Sequence, residues 1–161
     1  MNFMNKEILQ ISEQLKDVYH GDPWFGRSVK SLLSEVDEHI AFEKLNNQHS
    51  ILELLWHMIT WREFTISRLY PEQSQILGYF EENDWRELDH SDRSLWQKGL
   101  QRLDETQVEL IATIEKQTDA LLDKTVAERK YNFRKLLYGI IQHDIYHLGQ
   151  IAYIVKVIRR K

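Results

Sequence analysis

The sequence predicts an all-α fold, a four-helix bundle with crossover connections and short extra helices. Two prolines and six glycines in 161 residues leave few breaks, and helix-favouring Leu, Ile, Glu, Lys, Gln and Arg dominate the composition. Apolar residues recur at spacings of three and four in four long segments, and no alternating strand pattern stands out. The long stretches between some of these segments permit crossover connections.

The first long helix is predicted at residues 4–19, because apolar residues recur there at helical spacing. The sequence GDP at 21–23 ends it. A short helix is expected near 27–36, following Trp24 and Phe25. The apolar positions of the first helix are Met4, Ile8, Ile11, Leu15 and Val18.

The second long helix should begin after Ser50 and stop before Pro71. Ser50 and Glu53 match a capping box. In this motif the serine hydroxyl accepts from the backbone N–H of the glutamate, and the glutamate carboxylate accepts from the backbone N–H of the serine. Residues 71–90 are polar with scattered aromatic residues and are interpreted as a loop, long enough to be functional. The mouth of any site is expected to be lined by this loop and by residues 20–26.

Two more long helices follow. The third is indicated by residues spaced by four and three between 96 and 114, namely Trp96, Leu100, Leu103, Gln107, Leu110 and Ile114. Asn132 can cap the last helix, and Arg159, Arg160 and Lys161 place positive charge at its negative dipole end. The five tryptophans are expected to lie mostly in the core.

The bulk composition limits the classes of function. The length suits a single domain over residues 1–161. The formal charge of -4 comes from 21 basic and 25 acidic residues without a broad cationic face, so no nucleic-acid partner is expected. Cysteine is absent, which leaves His, Asp and Glu as metal ligands. No apolar run reaches the roughly 20 residues of a membrane span, and a cytoplasmic location is expected.

The core-facing seam of the last helix is interrupted by polar residues. Steps of four and three from Leu136 lead through Ile140 to His143, His147 and Gln150 before apolar residues resume. Burying such groups without partners costs on the order of 1 to 3 kcal/mol each. Two histidines one turn apart project from the same face and can converge on one ion. A metal ion is therefore one candidate partner.

A two-histidine site needs a further ligand, and His57 on the second long helix offers one. It shares a face with Leu54 and Trp61 in an apolar helical context. The remaining histidines lie in polar settings and are interpreted as facing solvent: His20, His39, His49 and His90.

Three segments carry a family resemblance: PWFGRSVKSLLSEV at 23–36, SILELLWHMITWR at 50–62 and LLYGIIQHDIYHLGQI at 136–151. Together they resemble the DinB-like, or YfiT-like, superfamily of metalloenzymes, close to its bacillithiol-transferase branch. The resemblance implies an up-down-down-up bundle and a homodimer. It also implies that His57, His143 and His147 hold a divalent metal, with no ligand position missing.

Other polar or small residues near this motif have alternative interpretations. Gln150 either orients a ligand or water or bonds a backbone carbonyl, and Trp61 is a candidate wall of the site. Asp144 is expected to pair with an Arg, a Trp indole or a partner subunit. Glu53 is a capping residue in preference to a base, and Gly139 either leaves room beside the ion or permits close helix packing.

Three neutral imidazoles leave a dication strongly Lewis acidic, so a bound water or thiol loses its proton near neutral pH. Zinc and nickel suit such a site best. The resemblance implies thiol S-transfer, with a bacillithiol-type thiol attacking an electrophilic small molecule. A metal-dependent hydrolase of small amides or esters is the alternative, and a non-catalytic metal-binding stress-response module is a third hypothesis. No residue is assigned as the catalytic acid or base.

Overall fold

The computed structural model describes residues 5–70, 72 and 75–160. This part of the chain forms seven α-helices and a 3-10 turn at Asp119–Leu121, and it contains no β-strand, which confirms the predicted all-α class. Among the described residues no helix has both the length and the apolar character needed to cross a bilayer. The helices are α1 Lys6–His20, α2 Val29–Leu33, α3 Glu38–Phe42, α4 Ile51–Leu69, α5 Leu77–Glu82, α6 Ser94–Ile114 and α7 Phe133–Ile158.

Helices α4 and α6 run parallel to each other. Near their starts the Trp56 indole donates to the carbonyl of Leu95 at 3.3 Å. At the other end the hydroxyls of Tyr70 and Thr113 lie 2.7 Å apart. The chain between α4 and α6 must therefore return along the length of the bundle, which makes it a crossover connection.

Helices α1 and α7 both run against this parallel pair. Tyr19 at the end of α1 donates to Asp104 of α6, whereas Ser12 about two turns earlier donates to Glu115 near the end of α6. The first half of α7 lines one cavity together with the second half of α4. The second half of α7 lines another cavity together with Leu54, near the start of α4. Helices α4 and α7 are therefore antiparallel. The order is therefore up-down-down-up, as the family resemblance implied.

The predicted helix boundaries agree with the structure where a local capping signal exists. Ser50 and Glu53 form the complete capping box of α4, and Asn132 accepts a hydrogen bond from the Lys135 amide at the start of α7. Two short helices were not predicted: α3, and α5, which lies inside the segment expected to be a loop. Helices of five and six residues are too short to establish a periodic apolar pattern. Met4 and Pro71 lie outside the described residues.

The tryptophans divide between core and surface. Trp96 is buried, whereas Trp24 is fully exposed and Trp85 is 41 % exposed. The expectation that they lie mostly in the core is therefore wrong for Trp24 and Trp85. Both belong to connecting segments, where a large side chain has no helix face to direct it inward.

A buried ion pair lies at the centre of the bundle. The Arg62 guanidinium of α4 donates to Asp144 of α7 at 2.5 Å, and neither side chain is exposed to solvent. Gln107 of α6 accepts from Arg62 at 2.7 Å and donates to the carbonyl of Leu15 in α1 at 3.3 Å. This network connects all four long helices, and it identifies the partner of Asp144 as an arginine. Burial raises the pKa of the Asp144 carboxyl, and Arg62 opposes that rise.

Replacing Asp144→Ala should destabilise the protein by about 3 to 5 kcal/mol, because Arg62 would remain buried and charged without its partner. Urea denaturation followed by circular dichroism measures this loss. The double variant Arg62→Met/Asp144→Leu should recover most of it, since neither buried charge remains. Lys98→Ala, which removes an exposed ion pair with Asp92, should leave the midpoint unchanged. An Asp144→Ala midpoint equal to that of Lys98→Ala would contradict the importance of the buried pair.

Candidate metal centre

The structure brings together the three histidines that the sequence selects as metal ligands. His57 lies in the first half of α4, and His143 and His147 lie one turn apart in α7. The Nε2 atom of His143 is 3.0 Å from that of His57 and 3.1 Å from that of His147. All three ligand atoms lie within 4.8 Å of one another.

These separations suit ligands that share one ion. Metal–imidazole bonds are about 2.0 to 2.1 Å long, so two ligand nitrogens stand about 3.3 Å apart at a tetrahedral angle and about 2.9 Å apart at a right angle. The two Nε2 distances to His143 fall inside this interval. The antiparallel pairing of α4 and α7 thus places the His57 ring close enough to join the other two.

Asp84 orients the first ring. The Nδ1–H of His57 points at the Asp84 backbone carbonyl at 2.9 Å and at its carboxylate at 3.0 Å. The Trp61 indole donates to the same carboxylate at 2.6 Å and so holds it in place. Because Nδ1 carries the hydrogen, the Nε2 of neutral His57 presents a lone pair towards the other histidines.

Gln150 orients the second ring in the same way. Its Oε1 lies 2.6 Å from Nδ1 of His147, so Nε2 of neutral His147 also presents a lone pair. The Nδ1 of His143 is buried and has no hydrogen-bond partner within the described part of the chain. Without a metal, the Nε2 of His143 could carry one hydrogen. That hydrogen could not fully satisfy the Nε2 lone pairs of both His57 and His147. The donor set therefore fits a cation better than a hydrogen-bonded cluster.

All three rings are held in the neutral form that ligates metal. Burial, with repulsion from the neighbouring histidines and Arg62, lowers the pKa of His143 to about 3. Burial also lowers the pKa of His57 and of His147 below the ordinary histidine value. The imidazoles consequently do not have to lose protons to bind a metal near neutral pH.

An aromatic stack covers His57. The Trp85 ring lies parallel to His57 at a centroid distance of 4.0 Å, and His49 stacks on the other side of Trp85 at 3.7 Å. Sequence reasoning missed Asp84, Trp85 and His49 as neighbours of the site. They come from connecting segments without helical periodicity. The adjacent acidic and aromatic residues at 84–85 were the only feature of the sequence that could have indicated them. His49 is half-exposed, as expected, yet it takes part in this stack.

Two cavities lie beside the histidines along α7. The first, here called the apolar chamber, measures about 240 Å³, adjoins His143 and is lined mainly by Trp61, Phe64, Leu136, Gly139 and Ile140. The second, here called the polar chamber because it holds more polar groups than the first, measures about 590 Å³ and adjoins His147. Its lining combines Gln48, His49, Tyr146 and Gln150 with Trp85, Gly149 and the apolar residues Leu45, Leu54 and Ile154. Of the two segments expected at the mouth, residues 71–90 contribute Trp85 to the polar chamber, whereas residues 20–26 line neither cavity. Leu45, Gln48 and His49 line the polar chamber although they were not predicted to.

The structure also separates the alternatives for two other residues. Both Glu53 carboxylate oxygens are engaged, one by the Ser50 amide at 2.7 Å and one by Lys44 at 2.8 Å, so Glu53 is a capping residue. A Cβ built on Gly139 would meet no heavy atom within 4 Å. Close helix packing therefore does not explain this glycine.

Comparison with known proteins supports the same fold. The family model of the DinB superfamily matches residues 26–151. The solved structure of the colibactin self-resistance protein ClbS in complex with a double-stranded DNA is similar with a TM-score of 0.65 and 18 % sequence identity. The alignment covers 94 % of this chain and 95 % of that one. No curated protein matches this chain.

The ClbS complex corrects one expectation from composition. The sequence was expected to have no nucleic-acid partner, and this exclusion is wrong, because a protein of the same fold has been crystallised with double-stranded DNA. Total charge is an average over the whole chain. It does not reveal cationic side chains that folding collects at one place.

The geometry predicts one tight zinc site per chain in protein stripped of metal with a chelator. Titration calorimetry with Zn²⁺ should show one equivalent bound, and alanine at His57, His143 or His147 should abolish tight binding. Gln150→Leu should weaken binding about 10- to 100-fold, whereas Gln150→Glu, which keeps an acceptor for Nδ1, should not. His39→Ala, at a side chain 85 % exposed on α3, is the control. Unchanged affinity in all three histidine variants would contradict the site.

Proposed function

This chain belongs to the DinB superfamily, and from that premise we propose that it is a metal-dependent thiol S-transferase. The transferred group is a low-molecular-weight thiol of bacillithiol type, and the acceptors are electrophilic small molecules. His57, His143 and His147 hold the metal. The observation that carries the proposal is the convergence of three neutral imidazoles beside two separate cavities.

A divalent ion on three neutral ligands keeps its full charge and, when bound, supplies Lewis acidity that favours the thiolate form of a thiol. The protein side chains do the rest. Asp84 and Gln150 fix the ring orientations of His57 and His147, which keeps the ligand atoms preorganised. Trp85 stacks on the ring of His57, and Trp61 holds the Asp84 carboxylate in place. Zinc or nickel is the proposed ion, because both accept imidazole ligands readily.

The zinc- or nickel-loaded protein should accelerate the conjugation of bacillithiol to a chlorobimane, measured by fluorescence. Removing the metal with a chelator should return the rate to the uncatalysed value, and adding the metal back should restore it. Gln150→Leu should lower the rate at limiting metal and recover at saturating metal, because its defect is in metal affinity. His39→Ala should have the wild-type rate.

The same assay distinguishes the alternative activities. Turnover of small esters or amides without any thiol would replace the transferase with a hydrolase. No rate enhancement with any thiol, together with a metal that has no exchangeable ligand, would leave a non-catalytic metal-binding module. The homodimer that the resemblance implied stays a prediction, and sedimentation of the loaded protein tests it.

We propose binding to double-stranded DNA as a second candidate function, because a cationic cavity lies at the end of α7. This cavity of about 530 Å³ is lined by Arg27, Lys156, Arg159 and Arg160. Glu35 pairs with Arg27 at 2.6 Å and with Arg159 at 3.6 Å, which reduces but does not cancel the local positive charge. Such a cluster suits backbone phosphates. The DNA in the ClbS complex motivates the comparison.

Fluorescence anisotropy with a labelled DNA duplex at 50 to 200 mM salt tests this candidate. Binding should weaken with salt, and Lys156→Ala should reduce the log–log slope by about 0.9 if this side chain neutralises one phosphate. Lys98→Ala removes the same charge on the exposed face of α6 and should bind as the wild type does. Equal slopes for both variants, or no binding at low salt, would contradict a role for the cationic cavity.

A further inference from the structure

Two glycines in the middle of α7 have no conformational or packing requirement for glycine. Gly139 and Gly149 lie within the continuous helix, and a Cβ at either would meet nothing within 4 Å. Gly99 of α6 differs, because its Cβ would stand 2.7 Å from the Leu55 side chain. Glycine inside a helix weakens it relative to alanine. Gly139 is partly buried, so the open space beside it needs another explanation, whereas Gly149 is exposed and leaves the helix surface beside it open.

Each glycine borders a different cavity beside the histidines. Gly139 lies one turn before His143 and lines the apolar chamber, and Gly149 lies two residues after His147 and lines the polar chamber. Side chains on a helix lean towards its N-terminus. A large side chain at Gly139 would therefore extend into the apolar chamber towards His143. Gly149 is exposed and lies on the other side of the helix from His147, so a large side chain there would narrow the rim of the polar chamber.

The two chambers differ in the ligand chemistry that they favour. The apolar chamber has aromatic and aliphatic walls and the smaller volume, about 240 Å³, which suits a compact apolar molecule. The polar chamber is more than twice as large, and Gln48, His49 and Tyr146 offer hydrogen-bonding groups there. Together with the apolar side chains of Leu45, Leu54 and Ile154, these groups suit a larger molecule that carries both polar and apolar parts.

We propose that Gly139 and Gly149 are specificity-determining residues for two substrates that bind on either side of the histidines. The apolar chamber takes a compact apolar electrophile, such as an alkyl or aryl halide, and the polar chamber takes the thiol. This assignment rests on the proposed transferase function. The thiol sulfur forms a bond to the electrophilic carbon as the carbon–halogen bond breaks. The halide leaves with the bonding electrons, and the thiol proton passes to solvent.

Leucine at each glycine tests the assignment with unreactive probes. Fluorobenzene represents the apolar electrophile and S-methylcysteine represents the thiol, and NMR titration of the zinc-loaded protein measures the affinity for each. Gly139→Leu should weaken fluorobenzene binding at least tenfold and change S-methylcysteine binding less than twofold. Gly149→Leu should do the reverse. In turnover assays the same split should appear in the KM values for electrophile and thiol.

Alanine variants provide the matched controls. Gly139→Ala and Gly149→Ala should each raise the melting temperature by about 2 to 4 °C, because alanine favours helix and meets no neighbour. A lower melting temperature in both would overturn the claim that these positions are free of packing. Equal weakening of both probes by either leucine variant, or no probe binding to the wild type, would overturn the two-chamber assignment. Separate probe effects without thiol transfer would support the chambers and contradict the transferase.

Discussion

The Arg62–Asp144 ion pair fixes how α4 and α7 lie against each other, and the histidine site depends on that register. Asp144 follows His143 directly, and Arg62 lies five residues after His57. A shift of either helix by one turn would leave a guanidinium and a carboxylate buried without partners, which is far more costly than a shift of apolar contacts. Gln107 and the Leu15 carbonyl extend the same constraint to α6 and α1. The charged core thus specifies the arrangement in which three imidazoles converge.

Much of this arrangement can be predicted from short segments of the sequence. Ser50 and Asn132 mark helix starts through side-chain capping, and the polar break at His143 and His147 is visible because the rest of the seam is apolar. His57 was recognisable by its apolar surroundings and by the family resemblance. The sequence leaves three alternatives for the partner of Asp144, since spacing along one helix does not show which residue of another helix faces it.

The unpredicted parts come from connecting segments. Asp84 and Trp85 follow a helix of six residues, and His49 precedes the capping residue of α4. None of the three lies in a periodic pattern from which the orientation of its side chain could be predicted. Their positions follow from long-range contacts, namely the indole of Trp61 on Asp84 and the stacking of Trp85 between two imidazoles. The cationic cavity has the same origin. Arg27 and Arg159 are distant in the chain but line the same cavity. The total charge does not indicate that they are close in space.

The three histidine rings are supported unequally by hydrogen bonds. Asp84 holds the ring of His57 and Gln150 holds that of His147, whereas within the described residues the Nδ1 of His143 has no hydrogen-bond partner. Apart from the contacts of its Nε2 with His57 and His147, the position of His143 is therefore set by the backbone of α7 and by packing. Because the adjacent Asp144 anchors that backbone to Arg62, the buried pair substitutes for the missing hydrogen bond. It keeps His143 in place at the wall of the apolar chamber.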